Sequence, residues 1–284
     1  MKKIRILFLD HTPFIGGAQL SLLQHVEHLD QQEFHIQLAC SREAVQTGLV
    51  EYYQERGVDY TVIPFSKLKK WDPVVFFRLR RSVKAVRDLI RKEEYDLVVT
   101  NTVRSAIIGA LAGKKEKKKV VWFIRDFTFP ISLFRFFSKT PHRIIFNSKA
   151  TFQYYRNSLE KGAKAEVVYI GRDFYKRVKD HSSRDILHTR QELGVSSYDT
   201  KIIGCTSRLV EWKGVDTLME AIKELKERGV TNIKCVIMGT GRGQQKSIEQ
   251  LLKQKVQEWG LKDYMVFTGH KKDVARYLLS FDIF

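Results

Sequence analysis

Short apolar runs rich in β-branched and aromatic residues recur along the first part of the chain. They are IRILFLD (4–10), FHIQLAC (34–40), YTVIPF (60–65), DLVVT (96–100), KVVWFI (119–124), RIIFNS (143–148) and EVVYI (166–170). Between most of them lie stretches with apolar residues at helical spacing, such as residues 18–32. Strands that are apolar throughout, alternating with amphipathic helices, predict a parallel sheet covered on both faces, because each crossover helix packs back onto the sheet. Residues 1–172 are therefore assigned to a doubly wound, Rossmann-like domain.

A polar, charged stretch over 171–201 interrupts this pattern, with a short helix predicted around 186–193. The alternation then restarts: KIIGCTS (201–207), a helix over 214–229, NIKCVIMG (232–239), a helix over 244–260, YMVFTG (264–269), and a helix over 272–281. A hint of a fourth strand follows at the final DIF. Residues 173–284 form a second α/β domain with a three-stranded sheet. An open sheet that small leaves a row of unpaired backbone groups at its edge, so this domain is expected to be incomplete.

Composition narrows the function classes. A length of 284 residues suits two domains, and 43% hydrophobic with 12% aromatic residues is usual for a soluble globular protein. No window approaches eighteen uninterrupted apolar residues, so no membrane span is expected. The N-terminal apolar run meets Asp10 too early for a signal peptide, which points to a cytoplasmic chain. Cys40, Cys205 and Cys235 show no CxxC spacing and read as buried free thiols. The net charge of +18 favours an anionic partner: a nucleotide, a nucleic acid or an anionic membrane surface.

Several stretches carry candidate chemistry. Gly16 and Gly17 follow the first strand and precede a helix, where backbone can approach a ligand and free N–H groups meet an anion. In TSRLVEWKG, Arg208 ends a strand and Lys213 precedes a helix, a placement that suits a diphosphate held by a guanidinium fork and a point charge. The bland alternative is two solvated surface cations. GTGRGQQKS (239–247) suggests a P-loop but has Gln245 where that motif needs glycine, so a glycine-rich strand-to-helix turn beside a ligand fits better. The basic stretch 67–94 reads as a helix packed through Val75, Leu79, Val83, Val86 and Ile90, its outer cations either simply solvated or docked on anionic lipid. The aromatic stretch 127–143 is a candidate acceptor-side element, and the run 113–121 a solvated loop. His25 and His28 share a helix face without further ligands, and no metal site is expected. Neither a G-x-S-x-G nor a D-x-D motif occurs.

The order of GGAQ, FNSKATFQYY, VVYIGRD, SRLVEWKGVDTLMEAI, VIMGTGRGQQKSIEQLLK and VFTGHKKDVARYLLSFDIF resembles glycosyltransferase family 4 over nearly the whole chain. The resemblance implies a GT-B fold, two Rossmann-like domains facing a cleft. It also implies transfer of a sugar from a UDP- or GDP-linked donor to a glycan or lipid-linked acceptor, with retention of configuration and without a metal or other cofactor. By match, Arg208 and Lys213 clamp the donor diphosphate, Gly16 and Gly17 line the site near the phosphates or the acceptor, and Gly239 and Gly241 lie near the nucleotide. Where the family often has histidine, FIRDF places Arg125 and Asp126, which become the candidate catalytic pair. Ile170 replaces the asparagine of the family's NGxD motif. The family continues beyond DIF to a pair of glutamates that contact the donor, so a truncated and inactive form is a further expectation. The implied setting is cytoplasmic, with peripheral contact to the inner face of an anionic membrane and no nucleic acid partner. The competing expectations are a non-enzymatic basic α/β protein that binds nucleic acid or anionic membrane, and an epimerase of the same architecture.

Overall fold

The computed structural model describes residues 3–65, 73–171, 178–241, 246–271 and 273–284. Part of the basic stretch 67–94 and part of the glycine-rich 239–247 segment lie outside the described residues. The chain divides into two compact units, residues 1–172 and 173–284.

Unit 1 holds seven parallel strands: β1 (Ile4–Asp10), β2 (Phe34–Cys40), β3 (Asp59–Val62), β4 (Leu97–Thr100), β5 (Lys119–Ile124), β6 (Arg143–Phe146) and β7 (Ala165–Val167). Their spatial order is β3-β2-β1-β4-β5-β6-β7, so the winding reverses between β1 and β4. Alternate residues of each strand point to opposite faces. Ile6, Phe8, Ile36 and Leu38 pack with α1 (Gly17–His28), α2 (Arg42–Gln46) and α3 (Leu49–Gln54). Leu7, Leu9, Val98, Trp122 and Phe146 pack on the other side with α4 (Val75–Lys92), α5 (Val103–Glu116), α6 (Ile131–Phe137) and α7 (Lys149–Tyr155). Each fully buried apolar side chain contributes about 1.5–3 kcal/mol. Coverage is uneven: Val121, Phe123 and Ile145 are only half-buried, whereas Val120, Trp122 and Ile144 on the opposite face are buried.

The aromatic stretch after β5 is split between core and surface. Phe129 stacks on Trp122 at 5.5 Å between ring centroids, and Phe134 packs on Tyr155 at 4.5 Å. Tyr155 Oη donates to the Phe129 carbonyl at 3.0 Å and also accepts from its N–H, pinning the segment. Phe127 and Phe136 stay exposed.

Unit 2 has β8 (Lys201–Thr206), β9 (Ile233–Met238) and β10 (Met265–Gly269) in the order β10-β9-β8, all parallel. Around them lie α8 (Ser183–Glu192), α9 (Val215–Glu227), α10 (Lys246–Glu258) and α11 (Val274–Leu278). The final DIF pairs with the outer side of β8: Ile283 bridges Ile203 in parallel, and Gly204 N–H donates to the Ile283 carbonyl at 2.8 Å. Arg190 on α8, 8% exposed, donates to Asp282 Oδ2 at 3.0 Å and to the carbonyls of Ser280 and Thr200. Asp282 also accepts the Ile202 N–H at 2.8 Å. Burial opposes its ionisation, but these donors still hold its carboxyl below the usual carboxylate range.

Gly204 is required by close approach. A Cβ there would stand 1.9 Å from Cδ2 of the Phe281 ring that lies over β8. Gly204→Ala should therefore force ring or strand to shift and cost about 1–3 kcal/mol. Urea unfolding measures this, and an unchanged midpoint would show that the ring moves aside freely.

Candidate functional site

Each unit gathers polar groups at the carboxyl edge of its parallel sheet, where open α/β sheets bind ligands. In unit 1 the edge is built around Asp10, the last residue of β1 and 1% exposed. Its Oδ2 accepts from Gln19 Nε2 at 2.8 Å and Asn101 Nδ2 at 2.7 Å, and its Oδ1 accepts the Thr12 N–H at 2.8 Å. Asn101 follows β4 directly, and its Oδ1 accepts from Arg125 Nε at 2.6 Å. Arg125 follows β5, donates through Nη1 to Ser21 Oγ at 2.6 Å, and lies over the Phe123 ring at 4.8 Å. The Asn101 amide thus turns its NH2 to a carboxylate and its oxygen to a guanidinium, the only orientation that satisfies both.

This network fixes the glycine turn. Gln19 Oε1 accepts the Gly16 N–H at 3.1 Å, so Asp10 holds the start of α1 through one side chain. Gly16 is extended, at φ −137°, and a Cβ on Gly17 would meet nothing within 4 Å. Packing therefore gives no reason for glycine at position 17. Burial pulls the Arg125 guanidinium down to about 10. Its Nη2 is buried and makes no hydrogen bond among the described residues. Asp126 is exposed, and its Oδ1 accepts from the N–H and hydroxyl of Thr128. The expected pair thus divides into an enclosed guanidinium and a solvated carboxylate.

His11 sits beside this edge, its Nδ1 2.7 Å from Thr102 Oγ1. Burial, reinforced by Arg104 and opposed by Asp10, lowers its pKa to about 4. His25 and His28 direct Nδ1 to the carbonyls of Ser21 and Gln24 in their own helix. No cluster of three or more metal-ligating side chains occurs among the described residues. Burial raises the Cys40 and Cys235 thiols to about 12, which keeps them protonated and unreactive.

In unit 2, Arg208 follows β8, Lys213 closes a short 3-10 turn, and α9 starts two residues later at Val215. Both cations are exposed, and neither makes an ion pair among the described residues. The ends of the neighbouring strands close in beside them. Ser207 N–H donates to the Met238 carbonyl at 3.0 Å, Leu209 N–H to the Thr240 carbonyl at 3.3 Å, and Gly239 N–H to the Gly269 carbonyl at 2.9 Å. Gly239 has φ +136°, and a Cβ on it would lie 1.8 Å from the Ser207 carbonyl oxygen. Only glycine lets β9 end against the loop that carries Arg208. Gly241 N–H donates to Glu249 Oε2 on α10 at 2.9 Å. Arg208, Lys213, Gly239 and Gly241 thus share one sheet edge, while Gly16, Gly17 and Arg125 share the edge of the other unit. Asp10, Gln19, Ser21 and Asn101 were missed in the sequence. The available signal was a polar residue directly after an apolar run, in FLD and VVTN.

Two α/β units, each built on a parallel sheet, make up the GT-B fold of glycosyltransferases. The profile of Glycosyltransferase Family 4 matches residues 15–175, more than half of the chain, and that of group 1 glycosyl transferases matches residues 200–284. The chain belongs to Glycosyltransferase Family 4. It is 26% identical over 112 residues to the Escherichia coli UDP-Gal:α-D-GlcNAc-diphosphoundecaprenol α-1,3-galactosyltransferase, an alignment covering 39% of this chain and 27% of that relative. In fold it is similar to Anabaena HepE, solved in complex with UDP and glucose, with a TM-score of 0.78 and 21% identity over 98% of this chain and 73% of that one. A glycosyltransferase from Rickettsia africae also has a TM-score of 0.78, at 16% identity over 99% of this chain and 72% of its own.

Two outcomes test this geometry. Asp10→Ala strands the buried amides of Gln19 and Asn101 and leaves Arg125 without its counter-charge, which should cost about 3 kcal/mol in urea unfolding. Asp126→Ala, which removes only exposed loop bonds, should cost less than about 1 kcal/mol. For His11 the folded-state pKa lies below the unfolded one, so the unfolded chain takes up the proton first. Its contribution is complete above about pH 6.5 and is lost as the pH falls towards 4. Tm should drop as the pH is lowered from about 7 towards about 4, the span of this window, and His11→Gln should flatten that drop.

Proposed function

We propose that the protein transfers a sugar from a nucleotide-diphosphate donor, UDP- or GDP-linked, to a glycan or lipid-linked acceptor, with retention of configuration and without a metal. The carrying observation is the pair Arg208 and Lys213, two exposed cations without ion-pair partners among the described residues, beside the N-terminus of α9 at a carboxyl sheet edge. Surface cations that serve only solubility need no such placement. A diphosphate supplies the missing negative charge and gains it most as the sugar–phosphate bond breaks, when the leaving oxygen takes the electron pair. Cations fixed in the protein take the part that a divalent ion plays in D-x-D enzymes. Gly239 and Gly241 give the nucleotide close access to backbone, and the open space over Gly17 supports an approach of phosphate or acceptor in unit 1. Asp126 is offered as the solvated carboxylate of the acceptor side, and Arg125 as its neighbour anchored through Asn101.

The Escherichia coli relative takes UDP-galactose and a diphosphoundecaprenol acceptor, which favours a UDP-sugar and a lipid-borne acceptor here, handled at the inner membrane face in cell-surface polysaccharide or glycolipid synthesis. No described helix is long and apolar enough to cross a membrane, so contact with the bilayer in this proposal is peripheral.

Titration calorimetry with UDP and GDP and their sugar conjugates provides the test. UDP should bind, and Arg208→Ala and Lys213→Ala should each weaken it by roughly 10- to 100-fold, the loss of one charged hydrogen bond of about 1.5–3 kcal/mol. If no nucleotide binds, while RNA binds with an affinity that falls steeply with salt, the protein is a nucleic-acid binder and the proposal fails.

A further inference from the structure

The helix α4 is divided along its length. Its C-terminal part buries Val83, Val86 and Ile90 in the unit 1 core, whereas its start exposes Phe76 at 59% and Phe77 at 71%. Behind the two rings stand exposed Arg80 and Arg81, neither in an ion pair among the described residues, with Arg80 lying over the Phe76 ring at 5.7 Å. Further along, the basic residues are paired: Lys84 with Asp88 at 2.6 Å, and Arg87 and Arg91 both with Glu116. Unpaired charge and exposed aromatic surface are therefore confined to the same end of the helix.

Lengths fix where that end lies. The 18 residues of α4 extend about 27 Å, against about 23 Å for the seven residues of β1. The chain leaves α4 at the amino edge of the sheet, where Asp96 N–H bonds the Arg5 carbonyl. The first turn of α4 thus reaches the carboxyl edge or projects past it. The segment after β5 leaves from the same edge and exposes Phe127 at 52% and Ile131 at 46%, followed by exposed Phe136 and Arg135.

We propose that the start of α4 and the β5–α6 segment form a docking surface for an anionic lipid bilayer, the rings entering the interface while Arg80, Arg81 and Arg135 meet headgroup phosphates. Aromatic rings at an advancing tip with cations set behind them fit the two layers of such a surface, apolar below and negative above. A second copy of the chain is a poorer occupant, because it would set the same unpaired arginines against one another. The surface flanks the edge that holds Asp10, Asn101 and Arg125, so docking would bring a membrane-borne acceptor to that edge. In this it rests on the acceptor reading above.

Co-sedimentation of the whole chain with vesicles tests the docking with neither donor nor acceptor present. The vesicles are phosphatidylcholine alone, or phosphatidylcholine with about one-third phosphatidylglycerol, at low and high salt. The protein should bind the anionic vesicles, and release as salt rises. Arg80→Gln with Arg81→Gln should weaken binding roughly thirtyfold, at about 1 kcal/mol per cation. Phe76→Ser with Phe77→Ser should weaken it at least about tenfold without changing the unfolding midpoint, since both rings are exposed. Absence of vesicle binding, equal binding to neutral vesicles, wild-type binding by both variants, or variants that alter only self-association would each overturn the proposal. UDP titration of the same samples separates the two ideas: nucleotide binding without vesicle binding sinks docking alone, and the reverse sinks the donor reading alone.

Discussion

A buried carboxylate is expensive unless its charge is answered, and Asp10 meets that requirement through an amide rather than through direct contact with a cation. The Asn101 side chain stands between Asp10 and Arg125, its dipole aligned with both charges. Three strand ends are thereby locked together, because these residues close β1, β4 and β5, neighbours in the sheet. Gln19 extends the lock to the glycine turn, and Ser21 extends it to the first helix. Order at this edge follows from an electrostatic constraint inside the fold and needs no ligand to impose it. A preformed edge of this kind spares a substrate the entropy of arranging it.

The strands were legible in the sequence because a parallel sheet covered by helices demands runs that are apolar on both faces. The runs at 4–10, 34–40 and 119–124 coincide with β1, β2 and β5 residue for residue. Where amphipathic spacing continues past a helix end, the sequence overshoots: residues 18–32 were expected to be helical, but α1 stops at His28 and turns before β2. The aromatic stretch at 127–143 shows a different limit. Its rings look alike in sequence, yet Phe129 and Phe134 fill the space around Trp122 and Tyr155 while Phe127 and Phe136 face solvent. Burial there is decided by packing against strands far away in the chain.

The two edges were legible to different degrees for a related reason. Arg208, Lys213 and the glycines around them lie in short local motifs, and local spacing survives in one dimension. The Asp10 network joins residues 91 positions apart. A reader of the sequence sees three unremarkable polar residues at the ends of apolar runs, and strand order alone makes them neighbours. Gly204 and Gly239 are equally silent, since their need for a missing Cβ comes from Phe281 and from the Ser207 carbonyl.

The contrast between the edges also bears on what each can do. At the unit 1 edge the buried groups around Asp10 bond mainly to one another, and that network holds a turn and positions Arg125. At the unit 2 edge Arg208 and Lys213 make no ion pair among the described residues. An exposed arginine or lysine gains about 0–1 kcal/mol from a surface carboxylate, so pairing Arg208 and Lys213 within the protein would add little stability. That both lack an ion-pair partner among the described residues costs equally little, and under the donor reading proposed above it keeps two cations available for a diphosphate. The same logic applies to α4, where Glu116 and Asp88 pair the far-end cations, while Arg80 and Arg81 make no ion pair among the described residues and stand beside two exposed rings. Where carboxylates answer the cations of α4 they tie neighbouring turns and helices together, whereas Arg80, Arg81, Arg208 and Lys213 keep no ion-pair partner among the described residues.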